Sequence, residues 1–165
     1  MVTELNQSGL ESLAAEVGAR LQVSGMVLVT AESCTGGWVG QCLTAIAGSS
    51  AWYDGGFITY SNTAKMRLLG VPESTLKRHG AVSEPTARAM AEGALGRSTA
   101  NCSLAITGIA GPGGGSRKKP VGTVCFAWAQ RDAGCVAETC LFEGDRQNVR
   151  AQAVSHALCG IRDRL

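Results

Sequence analysis

The sequence predicts an α/β fold: one three-layer α/β/α domain over residues 1–165, with a mixed sheet and helices on both faces. Three observations carry that expectation. Amphipathic stretches of helical period alternate with short apolar runs, and no linker or change of composition divides the 165 residues. The last two strand-like runs are separated by residues 130–134 alone, which suits an antiparallel hairpin at the end of an otherwise crossover-connected sheet.

Leu10, Leu13, Ala14, Val17 and Leu21 recur at helical spacing, giving a helix over roughly residues 8–23 that Gly25 ends. Met26-Val27-Leu28-Val29-Thr30 reads as a buried strand, and a second helix follows over about residues 38–46. Residues 55–60 form the next strand, leading into a short helix with Asn62 as N-cap and an end near Gly70. Ser83 caps another helix, with Pro85 in its first turn and Ala87, Met90, Ala91, Ala94 and Leu95 as its buried stripe. Ser103-Leu104-Ala105-Ile106-Thr107 is a strand running into a glycine-rich loop at 108–115. Strands near 121–129 and 135–142 come next, and Asp145 opens a last helix striped by Val149, Ala153, Ala157 and Ile161.

Composition excludes several classes. Hydrophobic residues make up 45%, too many for a disordered or fibrous chain. Fifteen Lys and Arg against thirteen Asp and Glu leave +2, which gives no electrostatic footprint for nucleic acid or a membrane surface. Charged residues are 17% against an average of about 25%, which points to extensive burial or a subunit interface. Seven cysteines, an odd number with no C-x-x-C, suit reduced thiols in a cytoplasmic protein. The start at Met1-Val2-Thr3-Glu4 lacks the basic and apolar regions of a secretory signal, and no apolar run nears the ~20 residues of a membrane span. The cysteines and the two histidines, His79 and His156, show no zinc spacing, and no carboxylate cluster suggests magnesium or calcium; the expected metal complement is none.

Four segments could carry chemistry. In Glu32-Ser33-Cys34-Thr35-Gly36-Gly37 a strand end meets a helix start, where ligands bind in open α/β sheets. Ser33 there is either a nucleophile or an ordinary N-cap, and Cys34, Thr35 and Gly36 are candidates for binding substrate or an oxyanion. In Tyr60-Ser61-Asn62-Thr63-Ala64-Lys65, Lys65 could serve as a base if burial keeps it neutral, with the Tyr60 phenol relaying the proton or orienting the amine. The loop beginning at Thr107 and Gly108 allows close backbone approach but fits no nucleotide P-loop spacing. Arg146 and Arg150 share a face of the last helix, where an arginine could grip a phosphate or simply form an ion pair.

Assembled in order, these motifs resemble the C-terminal domain family of the competence-damage-inducible protein CinA, from about Leu10 to Ile161. They are Thr30-Ala31-Glu32-Ser33-Cys34-Thr35-Gly36-Gly37, Tyr60-Ser61-Asn62-Thr63-Ala64-Lys65 and Val82-Ser83-Glu84-Pro85-Thr86-Ala87, then Thr107-Gly108-Ile109-Ala110-Gly111-Pro112-Gly113-Gly114, Lys119-Pro120-Val121-Gly122-Thr123-Val124 and Gly144-Asp145-Arg146. Free-standing members of that family are nicotinamide-nucleotide amidases. The resemblance implies hydrolysis of the carboxamide of nicotinamide mononucleotide without a cofactor, in pyridine nucleotide recycling. It carries a Ser–Tyr–Lys catalytic set onto Ser33, Tyr60 and Lys65, and it suggests a homodimer. A non-catalytic nucleotide-binding module of the same fold, or an amidase for another pyridine nucleotide, is the alternative.

Overall fold

Alternation along the strands decides how the layers assemble. In the computed structural model, which describes residues 5–165, Val124, Phe126 and Trp128 face one side of the sheet while Cys125, Ala127 and Ala129 face the other. The first four residues, Met1 to Glu4, which enter the sequence-based view of the chain's start and domain, lie outside the described residues. Large side chains on one face and small ones on the other create two unequal cores, because helices can approach the small-residue face more closely.

Five strands make one sheet in the order β2-β1-β3-β4-β5: β1 (Leu28–Glu32), β2 (Tyr53–Ile58), β3 (Cys102–Gly108), β4 (Thr123–Gln130) and β5 (Gly134–Leu141). β1 runs parallel to both β2 and β3, whereas β3–β4 and β4–β5 are antiparallel. The sheet is therefore mixed, and β4–β5 is the expected hairpin. Helices α1 (Gln7–Ser24), α2 (Trp38–Thr44) and α6 (Arg146–Arg162) cover the large-residue face through Leu10, Val17, Leu43, Val149 and Leu158. Helices α3 (Asn62–Leu69), α4 (Glu73–His79) and α5 (Glu84–Gly96) cover the other through Leu69, Leu76, Met90 and Ala94. Ser103, on the small-residue face, is accommodated because its hydroxyl donates to the Ala91 carbonyl of α5 at 2.8 Å.

Four local expectations change, the first being that β2 spans Tyr53–Ile58 where residues 55–60 were expected, because its pairing with β1 ends at Ile58. β1 begins at Leu28 and extends to Glu32, two residues further along than the apolar run suggested, because the buried edge of the strand includes Thr30 and Glu32. The N-cap of α3 is Ser61, whose hydroxyl accepts from the Ala64 N–H at 3.0 Å, so Asn62 is the first helical residue instead. Helix α4 was not foreseen, since Leu76 is its one buried residue and no apolar stripe marks it.

The topology has one consequence for function. β1, β2 and β3 point their carboxyl ends the same way, and the segments after them, residues 33–37, 59–61 and 109–122, gather above that edge.

Candidate active site

The turn after β1 is built around a carboxylate. Glu32 is 1% exposed, and its side chain accepts from the Thr35 hydroxyl at 2.7 Å and from the N–H groups of Gly37, Val39 and Gly40 at 3.0, 3.2 and 2.9 Å. Those three N–H groups are the ones a helix start leaves bare, and an N-cap side chain would ordinarily take one of them. Here Gly37 occupies the cap position with φ +95°, after Gly36 at φ +63°, conformations that L side chains rarely adopt. The preceding strand thus supplies the cap, and a negative charge is well placed at a helix N-terminus.

Capping by Glu32 leaves Ser33 with no structural duty at the helix. The plain N-cap alternative for Ser33 and Thr35 does not describe this turn: Thr35 is tied to Glu32, and the Ser33 hydroxyl meets an amine. Lys65 Nζ donates to Ser33 Oγ at 2.9 Å and to the Thr59 carbonyl at 2.7 Å. Lys65 sits in the first half of α3, and helical side chains lean back toward the helix N-terminus. Its amine is thereby delivered to the β2–α3 junction, beside the β1 carboxyl end. The Thr59 carbonyl is held in turn, because the Thr59 N–H donates to the Glu32 carbonyl at 2.8 Å.

Lys65 is 2% exposed and forms no ion pair among the described residues. Burial pushes its pKa down from 10.5 to about 8, since a dry surrounding disfavours the ammonium form. A neutral amine has two N–H groups and one lone pair. With the Thr59 carbonyl taking an N–H, the lone pair is available to the Ser33 hydroxyl. The neighbouring Cys34 moves oppositely: burial pushes its thiol up to about 11, so it stays protonated near neutral pH.

Ser33, Cys34, Tyr60, Lys65, Thr107, Gly108 and Arg146 line one cavity of about 260 Å³, with Asn62, Ala81, Val82 and Ala110 completing it. Tyr60 is 64% exposed at the rim, and its hydroxyl accepts from Arg146 Nη2 at 3.0 Å. Arg146 Nη1 donates to the Gly111 carbonyl at 2.7 Å, fastening the glycine loop to the start of α6. The Thr107 hydroxyl is committed to the Ala81 carbonyl at 2.8 Å. Thr35 and Gly36 do not line this cavity. They border a second one of about 460 Å³, on the side of the turn that Trp38 and Arg150 also line.

The chain matches the family described as the CinA C-terminal domain over residues 10–165. That match spans nearly all of the chain and both halves of the cavity. This protein belongs to the CinA C-terminal domain family. It is 53% identical over 155 residues to the nicotinamide-nucleotide amidohydrolase PncC of Escherichia coli K12, covering 93% of each chain. It is 55% identical over 160 residues to a putative competence-damage inducible protein of Symbiobacterium thermophilum, of whose length it spans 38%. Among solved structures it resembles a CinA superfamily protein from Escherichia coli (TM-score 0.93, 38% identity, 100% of this chain and 94% of that one). It also resembles the competence/damage inducible protein CihA from Agrobacterium tumefaciens (TM-score 0.89, 47% identity, 92% of each).

Within this family's fold, two residues of the site were not singled out from sequence. Glu32 stands in the quoted motif without a role, and a glutamate this deeply buried is uncommon. Arg150 was paired with Arg146 as a helix face. It instead donates to the Cys34 and Thr35 carbonyls, each at 3.0 Å, and its guanidinium lies 5.3 Å from the Trp38 ring centre. Glu32 and Arg150 therefore hold the turn from inside and outside. The N–H groups of Cys34 and Thr35 meet no acceptor among the described residues.

Two outcomes are expected. Glu32→Gln places an amide NH2 against N–H donors and lowers unfolding free energy by about 2–3 kcal/mol in denaturant titration, as loss of a charged acceptor requires. Lys65→Met raises unfolding free energy at pH 7 by about 1–3 kcal/mol, because it removes a buried ammonium. The unfolded chain holds the Lys65 proton up to about 10.5 while the folded one releases it near 8. Wild-type stability from this group consequently rises with pH across that window, and the advantage of Lys65→Met shrinks there, as urea titrations at pH 7 and pH 10 measure.

Proposed function

We propose that this protein is a nicotinamide-nucleotide amidohydrolase that converts nicotinamide mononucleotide and water to nicotinate mononucleotide and ammonia, with Ser33 as nucleophile and Lys65 as general base. The observation that carries this reading is the buried contact between Lys65 Nζ and Ser33 Oγ at 2.9 Å, with the amine's pKa at about 8. A serine is a weak nucleophile until a neighbouring base removes its proton, and here the neighbouring base is a lysine about a tenth uncharged at pH 7 and half uncharged near pH 8. The PncC name of the Escherichia coli relative supports the substrate class.

In the proposed sequence, the Lys65 lone pair takes the Ser33 proton as Oγ attacks the carboxamide carbon. The oxyanion that forms is stabilised by the N–H group of Cys34, which lines the cavity; such a donor is worth about 3 kcal/mol of barrier. The Lys65 ammonium then protonates the departing nitrogen, which leaves as ammonia, and an ester to Ser33 remains. Water attacks that ester with Lys65 again as base, and the carboxylate product is released. The Thr59 carbonyl stays on the amine throughout and fixes its direction. A cationic pyridinium ring in the cavity further disfavours the ammonium form of Lys65 and withdraws electrons from the carbonyl.

Tyr60 and Arg146 are assigned to the rim. Their mutual hydrogen bond keeps the phenol at the cavity rim, on the side where substrate enters, and the remaining N–H groups of Arg146 suit the substrate phosphate. Gly108 lines the cavity and packs its bare Cα against Val124, and Thr107 holds the Ala81 wall through its hydroxyl. Thr35 and Gly36 shape the turn that presents Ser33. A homodimer in the cytoplasm belongs to the same reading. It is supported by exposed apolar side chains on both edge strands, Ile58 on one and Val136 and Leu141 on the other, and by described helices none of which is long and apolar enough to cross a membrane.

The test is ammonia release from nicotinamide mononucleotide, run beside nicotinamide, its riboside and the dinucleotide. kcat/KM for the mononucleotide is expected to rise with pH through a midpoint near 8, following Lys65 deprotonation in the free enzyme, with the kcat midpoint lower. Ser33→Ala and Lys65→Met each lose at least about 1,000-fold in kcat, whereas Cys34→Ser retains most activity. A Ser33→Ala protein with near wild-type ammonia release, or no release from any of the four amides by the wild type, contradicts the proposal.

A further inference from the structure

On the large-residue face of the sheet, away from the Ser33 cavity, three side chains of different chemistry converge. Glu138 and Cys140 are two residues apart on β5, so they project to the same side of the strand. They stand opposite Phe126 and Val124 of β4 in the sheet register, and His156 of α6 packs over them. His156 Nε2 lies 2.6 Å from Glu138 Oε1 and 3.5 Å from Cys140 Sγ. One donor atom from each of the three falls within 4.8 Å of the others. The imidazole is held in place by the Phe126 ring at 4.6 Å between centres and by Phe142 at 5.9 Å.

Hydrogen bonding alone commits Nε2 to the carboxylate and leaves the sulfur a weak second partner. Both neighbours meet the same ring nitrogen, which carries either a proton or a lone pair. A proton on Nε2 serves the carboxylate and leaves the thiol no lone pair to donate to. A lone pair there confronts a carboxylate oxygen at 2.6 Å. An acid–imidazole–thiol relay is also excluded by this arrangement, because it needs the two partners on opposite nitrogens. A cation among the three donors satisfies all of them at once.

We propose that Glu138, Cys140 and His156 form a binding site for a zinc-type divalent ion that ties β5 to α6. The mixed oxygen, sulfur and nitrogen donor set suits zinc rather than magnesium or calcium. Tetrahedral ligands at Zn–N ~2.0 Å and Zn–S ~2.3 Å lie roughly 3.5 Å apart. The Nε2–Sγ separation of 3.5 Å already has that value. Glu138, whose side chain is 44% exposed, has room to swing outward by the remaining distance. Binding replaces the Cys140 thiol proton, which passes to solvent as the sulfur–metal bond forms, and water takes the fourth position. The pattern is invisible in the linear sequence, because a strand pair two residues apart is completed by a helix residue sixteen positions later.

Cobalt(II), a spectroscopic substitute for zinc, tests the site in the reduced, metal-free whole chain. The expected result is a thiolate-to-cobalt charge-transfer band with the visible bands of a tetrahedral centre, both abolished by added zinc. Cys140→Ser is expected to remove the charge-transfer band and His156→Gln to weaken cobalt binding at least about 10-fold, with native folds by circular dichroism. Cys135→Ser and Cys159→Ser are expected to keep the band. Absence of a thiolate band in the wild type, or a band that survives Cys140→Ser, overturns the proposal.

Discussion

The contact between the Lys65 amine and the Ser33 hydroxyl makes demands on everything around it. An amine held dry loses the hydration that would stabilise its proton, and the protein leaves that cost uncompensated by any carboxylate on Lys65 among the described residues. A nearby acid would make the chain more stable and the base useless. What the amine receives is neutral: one backbone carbonyl and one hydroxyl. Stability is given up at the site, and the burial of two cores of aliphatic and aromatic side chains offsets it elsewhere.

A second constraint follows from the first. The Ser33 hydroxyl must be free of local hydrogen bonds, although serines at strand–helix junctions habitually cap the helix. Glu32 resolves this conflict by reaching three helix-start N–H groups from the end of β1. Its charge is buried, but four hydrogen bonds and the positive end of α2 meet it. Arg150 grips the outer carbonyls of the same turn, so the backbone beside Ser33 is fixed from both sides. The rigidity matters because a displacement of about 1 Å at a reacting atom is enough to cost a large factor in rate.

The layers were legible because burial imposes a period, and that period survives in the sequence. Leu10, Leu13, Val17 and Leu21 mark α1, and the alternation of Val124, Phe126 and Trp128 marks β4. The gathering of Ser33, Tyr60 and Lys65 around one cavity is what the family resemblance implied, and the rule that strands present ligands at their carboxyl ends pointed to the first of them. Helix α4 left no trace because a helix of this length with Leu76 as its buried residue has no stripe to read. The roles of Glu32 and Arg150 were not legible for a different reason. Charged residues are read as surface by default, and nothing in residue spacing reveals that their partners are backbone groups brought close by folding. Thr35 and Gly36 share that difficulty: their place in the motif is plain, but the side of the turn they face is set by Gly36 and Gly37 adopting positive φ.

The most direct measurement is the protonation state of the Lys65 amine itself, followed by nuclear magnetic resonance of the lysine side-chain nitrogens across pH, with Lys65→Met to assign the signal. The account predicts a titration midpoint near 8. A Lys65 amine that stays charged until about 10.5, in step with exposed lysines, would contradict it.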